Sequence, residues 1–133
     1  ILAIEQVTFT EEAFSRETFD ELNAERNRIF VVIEEDNKLL GYAITVIHRG
    51  EGYLASIAIV PAKHRSGYGR ALIDFIKQQL ITMHVKTFAL HVRTTNSPAI
   101  ALYERVGFKK DALIYNYYGE GEDESAYEMR LVL

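Results

Sequence analysis

The hydrophobic pattern of this 133-residue chain changes period at a glycine loop near the middle, around Gly67 and Gly69. That change constrains the fold more than any other feature. Before the loop, runs rich in β-branched and aromatic residues predict three strands, at Ile29–Ile33, Leu39–Ile47 and Tyr53–Val60. Turn residues at 36–38 and 50–52 join them, which favours an antiparallel meander. After the loop, apolar residues recur at the spacing of an amphipathic helix, as Leu72, Phe75, Ile76, Leu80 and Met83.

The last third of the chain alternates strand and helix signals. Thr87–Arg93 is predicted to be a strand, and a second helix is predicted to start with Ser97 as its N-cap and Pro98 at its first position. Gly107 is expected to end that helix in a left-handed conformation. The remaining predicted elements are a helix at Glu11–Ala24 and closing strands at Leu113–Tyr118 and Tyr127–Leu133.

The order of these elements indicates the fold class. After the first helix, the order β-β-β-α-β-α-β-β describes an α/β (α+β) protein with a mixed, mostly antiparallel central sheet flanked by helices. A chain of 133 residues can bury one core and is too short for two ordinary domains, so residues 1–133 are expected to form a single domain. Because the chain begins at Ile1 and not at Met, we expect its N-terminal strand to be incomplete.

Composition argues against several classes of function. The chain has no cysteine and only four histidines, without HExxH-type spacing, so we expect no disulfide, no cysteine nucleophile and no metal. A formal net charge of −4 argues against nucleic-acid binding. No run approaches the roughly 20 apolar residues that cross a bilayer, and no leader pattern is visible, so we expect no membrane partner and a cytoplasmic location.

The glycine loop has the properties of an anion site. It joins a strand to a helix through Gly67 and Gly69, which permit close backbone approach. The free N–H groups and the dipole of a helix N-terminus attract anions, and Arg65 and Arg70 add positive charge. The alternative is an ordinary tight connection, because the loop lacks both the Gly-Lys-Ser/Thr of a Walker motif and the third glycine of a Rossmann motif. An acidic segment at 120–124 suits an amine substrate beside this basic loop, unless both are simply solvated.

Two segments of the chain resemble the GNAT superfamily of acyl-CoA N-acyltransferases. The first runs from Ile57 through the loop to Leu72 and is similar to the cofactor motif Gln/Arg-x-x-Gly-x-Gly/Ala, with His64 where Gln or Arg is usual. The second segment matches the family at Asn96, Ala99, Ala101, Tyr103, Gly107 and Phe108. The resemblance implies the GNAT fold and acetyl-CoA as the cosubstrate. It also implies the cofactor-binding residues, which are Ile57, Ala58 and Ile59 for pantetheine, Arg65, Ser66, Gly67, Tyr68, Gly69 and Arg70 for pyrophosphate, and Asn96 and Tyr103.

The C-terminal third is similar to N-terminal protein α-amine acetyltransferases, which include the ribosomal-protein alanine acetyltransferases. That resemblance implies a peptide or protein N-terminus as acceptor, with a ribosomal protein as one candidate, and assigns Tyr117 and Tyr118 to the peptide slot. The alternative for this tyrosine pair is a half-buried strand pair. Phe14–Phe19 loosely resembles the substrate-side helix and loop of these enzymes. The alternative functions are acetylation of a polyamine-like small molecule or of a lysine side chain, and a non-catalytic acyl-CoA-binding module.

Three residues are candidates for proton transfer. Alternation along Phe88–Arg93 puts His91 on the less apolar face of its strand. The ribosomal-protein enzymes usually carry Glu there, whereas one eukaryotic branch has histidine paired with a tyrosine that matches Tyr53. The base is therefore His91, Tyr53 or a water chain, unless His91 is structural. Tyr103 matches the family's general acid, and a phenol is a weaker acid than a thiol by roughly 2 kcal/mol, which favours hydrogen bonding to the leaving thiolate over full transfer.

Overall fold

The computed structural model describes residues 2–6, 28–60, 67–121 and 124–133. The predicted helix at Glu11–Ala24, the segment Phe14–Phe19 and the loop residues His64, Arg65 and Ser66 lie outside the described residues. The strands are β1 (Leu2–Gln6), β2 (Arg28–Glu35), β3 (Lys38–His48), β4 (Glu51–Ile59), β5 (Thr87–Arg93), β6 (Lys109–Ile114) and β7 (Ala126–Val132). Two helices lie in the described ranges, α1 (Tyr68–Thr82) and α2 (Ser97–Arg105).

The strands form one seven-stranded sheet in the order β1-β2-β3-β4-β5-β7-β6. All neighbours are antiparallel except β4 and β5, which are parallel and pair only where Glu51–Tyr53 meets Thr87–Ala89. Just beyond this short ladder β4 has a bulge, because Ser56 pairs with Ile44 and Leu54 with Thr45. Since a bulge bends its strand, β4 turns away from β5 and opens a wedge in the middle of the sheet.

Helix α1 supplies the largest block of the main core. Its buried face comprises Leu72, Ile73, Ile76 and Leu80, at helical spacing. These side chains pack with buried residues of the sheet, and each contributes about 1.5–3 kcal/mol through removal of its surface from water. On the far side of the wedge, the rings of Phe88 and Phe108 pack with their centroids 5.2 Å apart and tie β5 to the end of α2. The core therefore fixes α1 and α2 on either side of the opening.

The antiparallel meander, the strand Thr87–Arg93 and the two central helices are confirmed. Gly107 has φ +112° just after α2, as its predicted left-handed role requires. The predicted N-cap is wrong. Asn96 caps α2, because its side-chain oxygen accepts a hydrogen bond from the Ala99 N–H at 3.3 Å, and Ser97 is already helical. Both residue types favour the N-cap, so Pro98 one or two positions inside the helix does not distinguish them.

The predicted strand Leu113–Tyr118 is also wrong, because β6 spans Lys109–Ile114 and ends before the tyrosines. β6 is an edge strand whose first five residues are exposed, so it lacks the apolar alternation that marks a half-buried strand. The alternative interpretation of Tyr117 and Tyr118 as a half-buried strand pair is therefore wrong as well. Both lie in the connection between β6 and β7. In the described part of the chain, neither helix is long and apolar enough to cross a membrane.

Candidate active site

A cavity of about 860 Å³ lies between β4, the start of α1 and one face of α2. Eight of the residues predicted to bind cofactor line it, namely Ile57, Ala58, Ile59, Gly67, Gly69, Arg70, Asn96 and Tyr103. The β4 residues lie beyond the point where its ladder with β5 ends. The cavity therefore brings the β4 residues at one end of the cofactor motif together with the residues at the start of α1, at its other end.

The start of α1 presents positive potential to this cavity. Gly67 is the N-cap and has φ +82°, a conformation that favours glycine. The first helical hydrogen bond runs from the Ala71 N–H to the Gly67 carbonyl at 3.0 Å, so the three preceding N–H groups have no acceptor within the helix. The first turn contains no acidic residue, which leaves the dipole uncompensated.

Gly69 lets α2 approach the same helix terminus closely. A Cβ added to Gly69 would lie 3.1 Å from Cδ2 of Leu102, which is closer than most side-chain contacts allow. Leu102 belongs to a row along α2 that faces the cavity, spaced three or four residues apart, with Pro98 and Ala99 before it and Arg105 after it. The absence of a side chain at Gly69 therefore sets the distance between the two helices at the cavity.

Tyr68 does not line the cavity with its side chain. Its hydroxyl donates a hydrogen bond to Glu35 Oε2 at 3.1 Å, and this contact raises the pKa of Tyr68 in addition to the effect of burial. Tyr68 is therefore the one described residue of the predicted pyrophosphate loop that does not line the cavity. Arg70 is partly neutralised by Asp74, with 3.6 Å between Nε and Oδ2. Arg105 was missed by the sequence analysis, although its spacing from Leu102 places it on the cavity face of α2.

Tyr103 lies at the inner end of the cavity and is 6% exposed. Its ring meets that of Phe108 edge-on with centroids 5.9 Å apart. Burial raises the pKa of Tyr103 to about 12, and the neighbouring Tyr118 adds to this rise. The phenol is therefore protonated at any physiological pH, and it can act as a hydrogen-bond donor.

Tyr53 and His91 meet where β4 and β5 separate. Tyr53 is the last paired residue of β4, opposite Ala89, and His91 is the next residue of β5 on that face. The Tyr53 Oη and His91 Nδ1 atoms are 2.5 Å apart. Burial raises the pKa of Tyr53 well above its usual value, and the adjacent Tyr117 hydroxyl raises it further. A neutral phenol both donates and accepts, so the tautomer of His91 decides which of the two atoms is the donor.

The two tyrosines of the β6–β7 connection cover this pair. Tyr117 stacks on His91 with centroids 4.4 Å apart and an interplanar angle of 10°. Tyr118 meets Tyr117 edge-on at 4.9 Å, and the Arg93 guanidinium lies 4.2 Å from the Tyr118 ring centroid. Tyr118 raises the pKa of both Tyr53 and Tyr103, so it lies near the Tyr53–His91 pair and near the inner end of the cavity.

Glu128 is a further polar side chain at this point, and the sequence analysis did not single it out. It lies directly opposite His91 in the β5–β7 ladder, with its Oε2 atom 3.7 Å from His91 Nε2. Its other oxygen accepts a hydrogen bond from Arg130 Nη2 at 3.0 Å. Cross-strand register would have identified it, but register between distant strands cannot be read from local sequence.

Arg130 connects Glu128 to a larger charged network at the base of the wedge. Its guanidinium donates to both oxygens of Glu51, at 3.0 and 3.2 Å, and to Asp111 at 2.6 Å. The hydrogen bond from Arg130 lowers the pKa of Glu51, and the same contact raises the pKa of Arg130. Across residues 2–6, 28–60, 67–121 and 124–133, no group of three or more His, Asp or Glu side chains is arranged to hold a metal ion.

Known proteins resemble this chain in sequence and in structure. The profile of the Acetyltransferase (GNAT) family matches residues 1–108. The ribosomal protein bS18-alanine N-acetyltransferase of Escherichia coli (strain K12) is 37% identical over 105 residues, which cover 79% of this chain and 70% of that protein. An N-alpha-acetyltransferase of Sulfurisphaera tokodaii is 34% identical over 107 residues, which cover 71% of this chain and 64% of that protein.

The crystal structure of the ribosomal-protein-S18-alanine N-acetyltransferase from Escherichia coli has the same architecture. It matches with a TM-score of 0.85 and 29% identity, over 99% of this chain and 94% of that one. The family match spans most of the sequence, and both family segments flank a single cavity. The chain belongs to the GNAT family of acetyl-CoA-dependent N-acetyltransferases.

Proposed function

We propose that this chain transfers the acetyl group of acetyl-CoA to the α-amine at the N-terminus of a protein or peptide. One observation carries the proposal. The hydrogen-bonded Tyr53–His91 pair lies at the opening between β4 and β5, next to the cavity that Ile57 and Tyr103 line. The names of the two relatives, one acting on ribosomal protein bS18 and one on N-terminal α-amines, support this choice of acceptor.

The pantetheine arm of acetyl-CoA lies along β4 in this proposal. Ile57 and Ala58 line the cavity beyond the last rung of the β4–β5 ladder. A pantetheine amide laid beside such a strand can form sheet-like hydrogen bonds, as an added strand does. The thioester at the end of the arm then reaches the inner part of the wedge, near Tyr103 and the Tyr53–His91 pair.

The pyrophosphate lies at the N-terminus of α1. The N–H groups before Ala71 and the uncompensated dipole favour an anion there. Arg70 contributes less than a free arginine because it shares its charge with Asp74. The backbone therefore carries most of the phosphate recognition, and a histidine in place of the usual Gln or Arg at position 64 is compatible with it.

The amine loses its proton through Tyr53. In this proposal the Tyr53 hydroxyl donates to Nδ1 of His91, so His91 does not take the proton of the amine directly at that atom. The amine proton passes to Tyr53 Oη while the phenolic proton of Tyr53 passes to Nδ1. The neutral nitrogen then bonds to the thioester carbon, and the carbon–sulfur bond breaks. The second proton of the nitrogen passes through water to the departing thiolate, so the products are the amide and the free thiol, with the first proton held on His91. A protein α-amine, with a pKa of about 7.7–8.0, is a far easier group to deprotonate than a lysine at about 10.4.

Tyr103 stabilises the departing thiolate by a hydrogen bond. With its pKa raised to about 12, full transfer of its proton to a thiolate of pKa about 8.5 is uphill on the order of 5 kcal/mol. Donation without transfer avoids that cost and still stabilises the charge that develops in the transition state. The buried position of Tyr103 strengthens such a bond, since few waters compete for the sulfur.

A substrate panel tests the proposal. The protein is incubated with acetyl-CoA and one of three acceptors, namely a lysine-free peptide with a free α-amine, an N-terminally blocked peptide with one lysine, and a polyamine. We expect kcat/KM for the free α-amine to be at least about tenfold higher than for the other two, and His91→Ala to abolish this activity. Comparable or faster transfer to lysine or polyamine would refute the α-amine assignment.

A further inference from the structure

We propose that Glu128, held by Arg130, is a positioning residue that fixes the tautomer and orientation of His91 for the proton transfer from Tyr53. The inference rests on the proposed function, because it concerns how the proton of the amine leaves the site. It adds a third member to the Tyr53–His91 pair. The contacts of Glu128 on its two oxygens carry the argument.

Backbone pairing places Glu128 beside His91. The two residues are direct partners in the antiparallel β5–β7 ladder, so their side chains rise from the same face of the sheet. Glu128 Oε2 lies 3.7 Å from His91 Nε2, and the two side chains are 24% and 17% exposed. This distance exceeds that of a direct hydrogen bond by only a few tenths of an ångström, and a small rotation of the Glu128 side chain closes the gap.

Arg130 orients the carboxylate of Glu128. Nη2 of Arg130 donates to Oε1 of Glu128 at 3.0 Å, which leaves Oε2 directed at the imidazole. Arg130 is itself fixed by Glu51 and Asp111, with contacts of 3.2 Å or less. The two hydrogen bonds to Glu51 hold the guanidinium even without Asp111, so Arg130 keeps the Glu128 carboxylate directed at His91.

The two ring nitrogens of His91 then have distinct partners. The carboxylate of Glu128 faces Nε2 and so favours the tautomer with its hydrogen on Nε2, in which Nδ1 accepts from the Tyr53 hydroxyl. That N–H points toward the carboxylate of Glu128, and a carboxylate has hydrogen-bond acceptors and no donor. Tyr53, His91 and Glu128 therefore form a chain in which each donor faces an acceptor, as in other base–orienter pairs.

The surroundings of His91 leave Glu128 as its only nearby anion among the described residues. From β4 it faces Tyr53, and from the β6–β7 connection it faces Tyr117, which stacks on the ring. Arg93, on the same strand, is directed at the Tyr118 ring and pairs with Glu124 at 2.7 Å. When His91 takes up a proton, the positive charge is therefore compensated by Glu128.

Kinetics and nitrogen NMR of the full chain test the role of Glu128. We expect Glu128→Gln to lower kcat for a free α-amine peptide about tenfold, with the KM for acetyl-CoA within about twofold. Glu128→Asp keeps the carboxylate and is expected to recover part of that loss. Asp111→Asn is the matched control, because it removes another carboxylate from Arg130 without changing what faces His91.

The ring nitrogens of His91 provide a second readout that needs no turnover. In the wild-type protein we expect a single tautomer with the hydrogen on Nε2, and in Glu128→Gln a mixture of both. A kcat for Glu128→Gln within about twofold of Asp111→Asn, or an unchanged tautomer, overturns the inference. Failure of the wild-type protein to acetylate any α-amine refutes the proposed function instead, and the tautomer still decides the role of Glu128.

Discussion

Removal of the Tyr103 hydroxyl isolates the stabilisation of the leaving thiolate. Tyr103 is 6% exposed and lines the cavity, and its ring packs against Phe108 at 5.9 Å. Tyr103→Phe keeps that packing and deletes only the donor. A hydrogen bond to a charged group contributes about 1.5–3 kcal/mol, so we expect kcat to fall about 10- to 150-fold. The KM for acetyl-CoA should change little, because the ground-state thioester needs no such bond.

The assay follows release of the free thiol from acetyl-CoA with a peptide acceptor, together with thermal unfolding of both proteins. Because burial raises the pKa of Tyr103 to about 12, the ratio of wild-type to variant kcat is expected to stay constant between about pH 6 and 9. Tyr115→Phe is the matched control, since that side chain is 75% exposed. An unchanged kcat in Tyr103→Phe refutes the role, and a ratio that collapses within this range contradicts the raised pKa.

Three further outcomes follow from described contacts. Gly67→Ala places a side chain at φ +82°, which costs about 1–2 kcal/mol of stability although no atom lies within 4 Å of the new Cβ; an unchanged Tm in thermal unfolding contradicts this. Arg105→Gln is expected to raise the KM for acetyl-CoA up to about fivefold without changing kcat, and to weaken the dependence of this KM on salt. The exposed control Lys86→Gln is expected to change neither. Equal salt dependence in both variants argues against a phosphate contact. Arg130 lowers the folded-state pKa of Glu51 below 4.5, so Glu51 stabilises the fold above that pH and loses this effect as pH falls further. In Glu51→Gln we expect Tm to fall less steeply below pH 4.5 than in the wild-type protein, and parallel curves would disprove it.

The sequence predicts the parts of the fold that local periodicity encodes. The β-branched and aromatic run of β2 and the helical spacing of Leu72, Ile76 and Leu80 correspond to buried side chains, and the structure confirms both elements. A closing strand was predicted at this point in the chain, but the bounds of β6 were misplaced because an exposed edge strand has no buried face to mark its extent. The N-cap of α2 was misplaced by one residue because Asn96 and Ser97 are equally suited to that position.

The residues of the site likewise divide into those that the sequence predicts and those that it does not. The cavity residues of α1 and β4 belong to one contiguous motif, and the resemblance to one eukaryotic branch of these enzymes implied the pairing of Tyr53 with His91 that the structure contains. Glu128 could not be predicted, because its position depends on the register between β5 and β7, which are separated by a helix and an edge strand. Arg105 is an exposed charge on a helix, and only the path of the cavity distinguishes it from other surface charges.

Because only three residues of β4 pair with β5, the sheet consists of two halves that are joined by a short ladder. One half is β1 to β4 and the other is β5 to β7, and each half has its own continuous antiparallel pairing. A molecule in the wedge touches β4 on one side and α2 on the other, so it bridges the halves where the backbone does not. Acetyl-CoA at about 100 times its Kd would then add about 2.7 kcal/mol to the stability of the fold, and amide exchange at Tyr53 and Ala89 should slow in proportion. We therefore expect the cosubstrate to hold the two halves of the sheet together as well as to react.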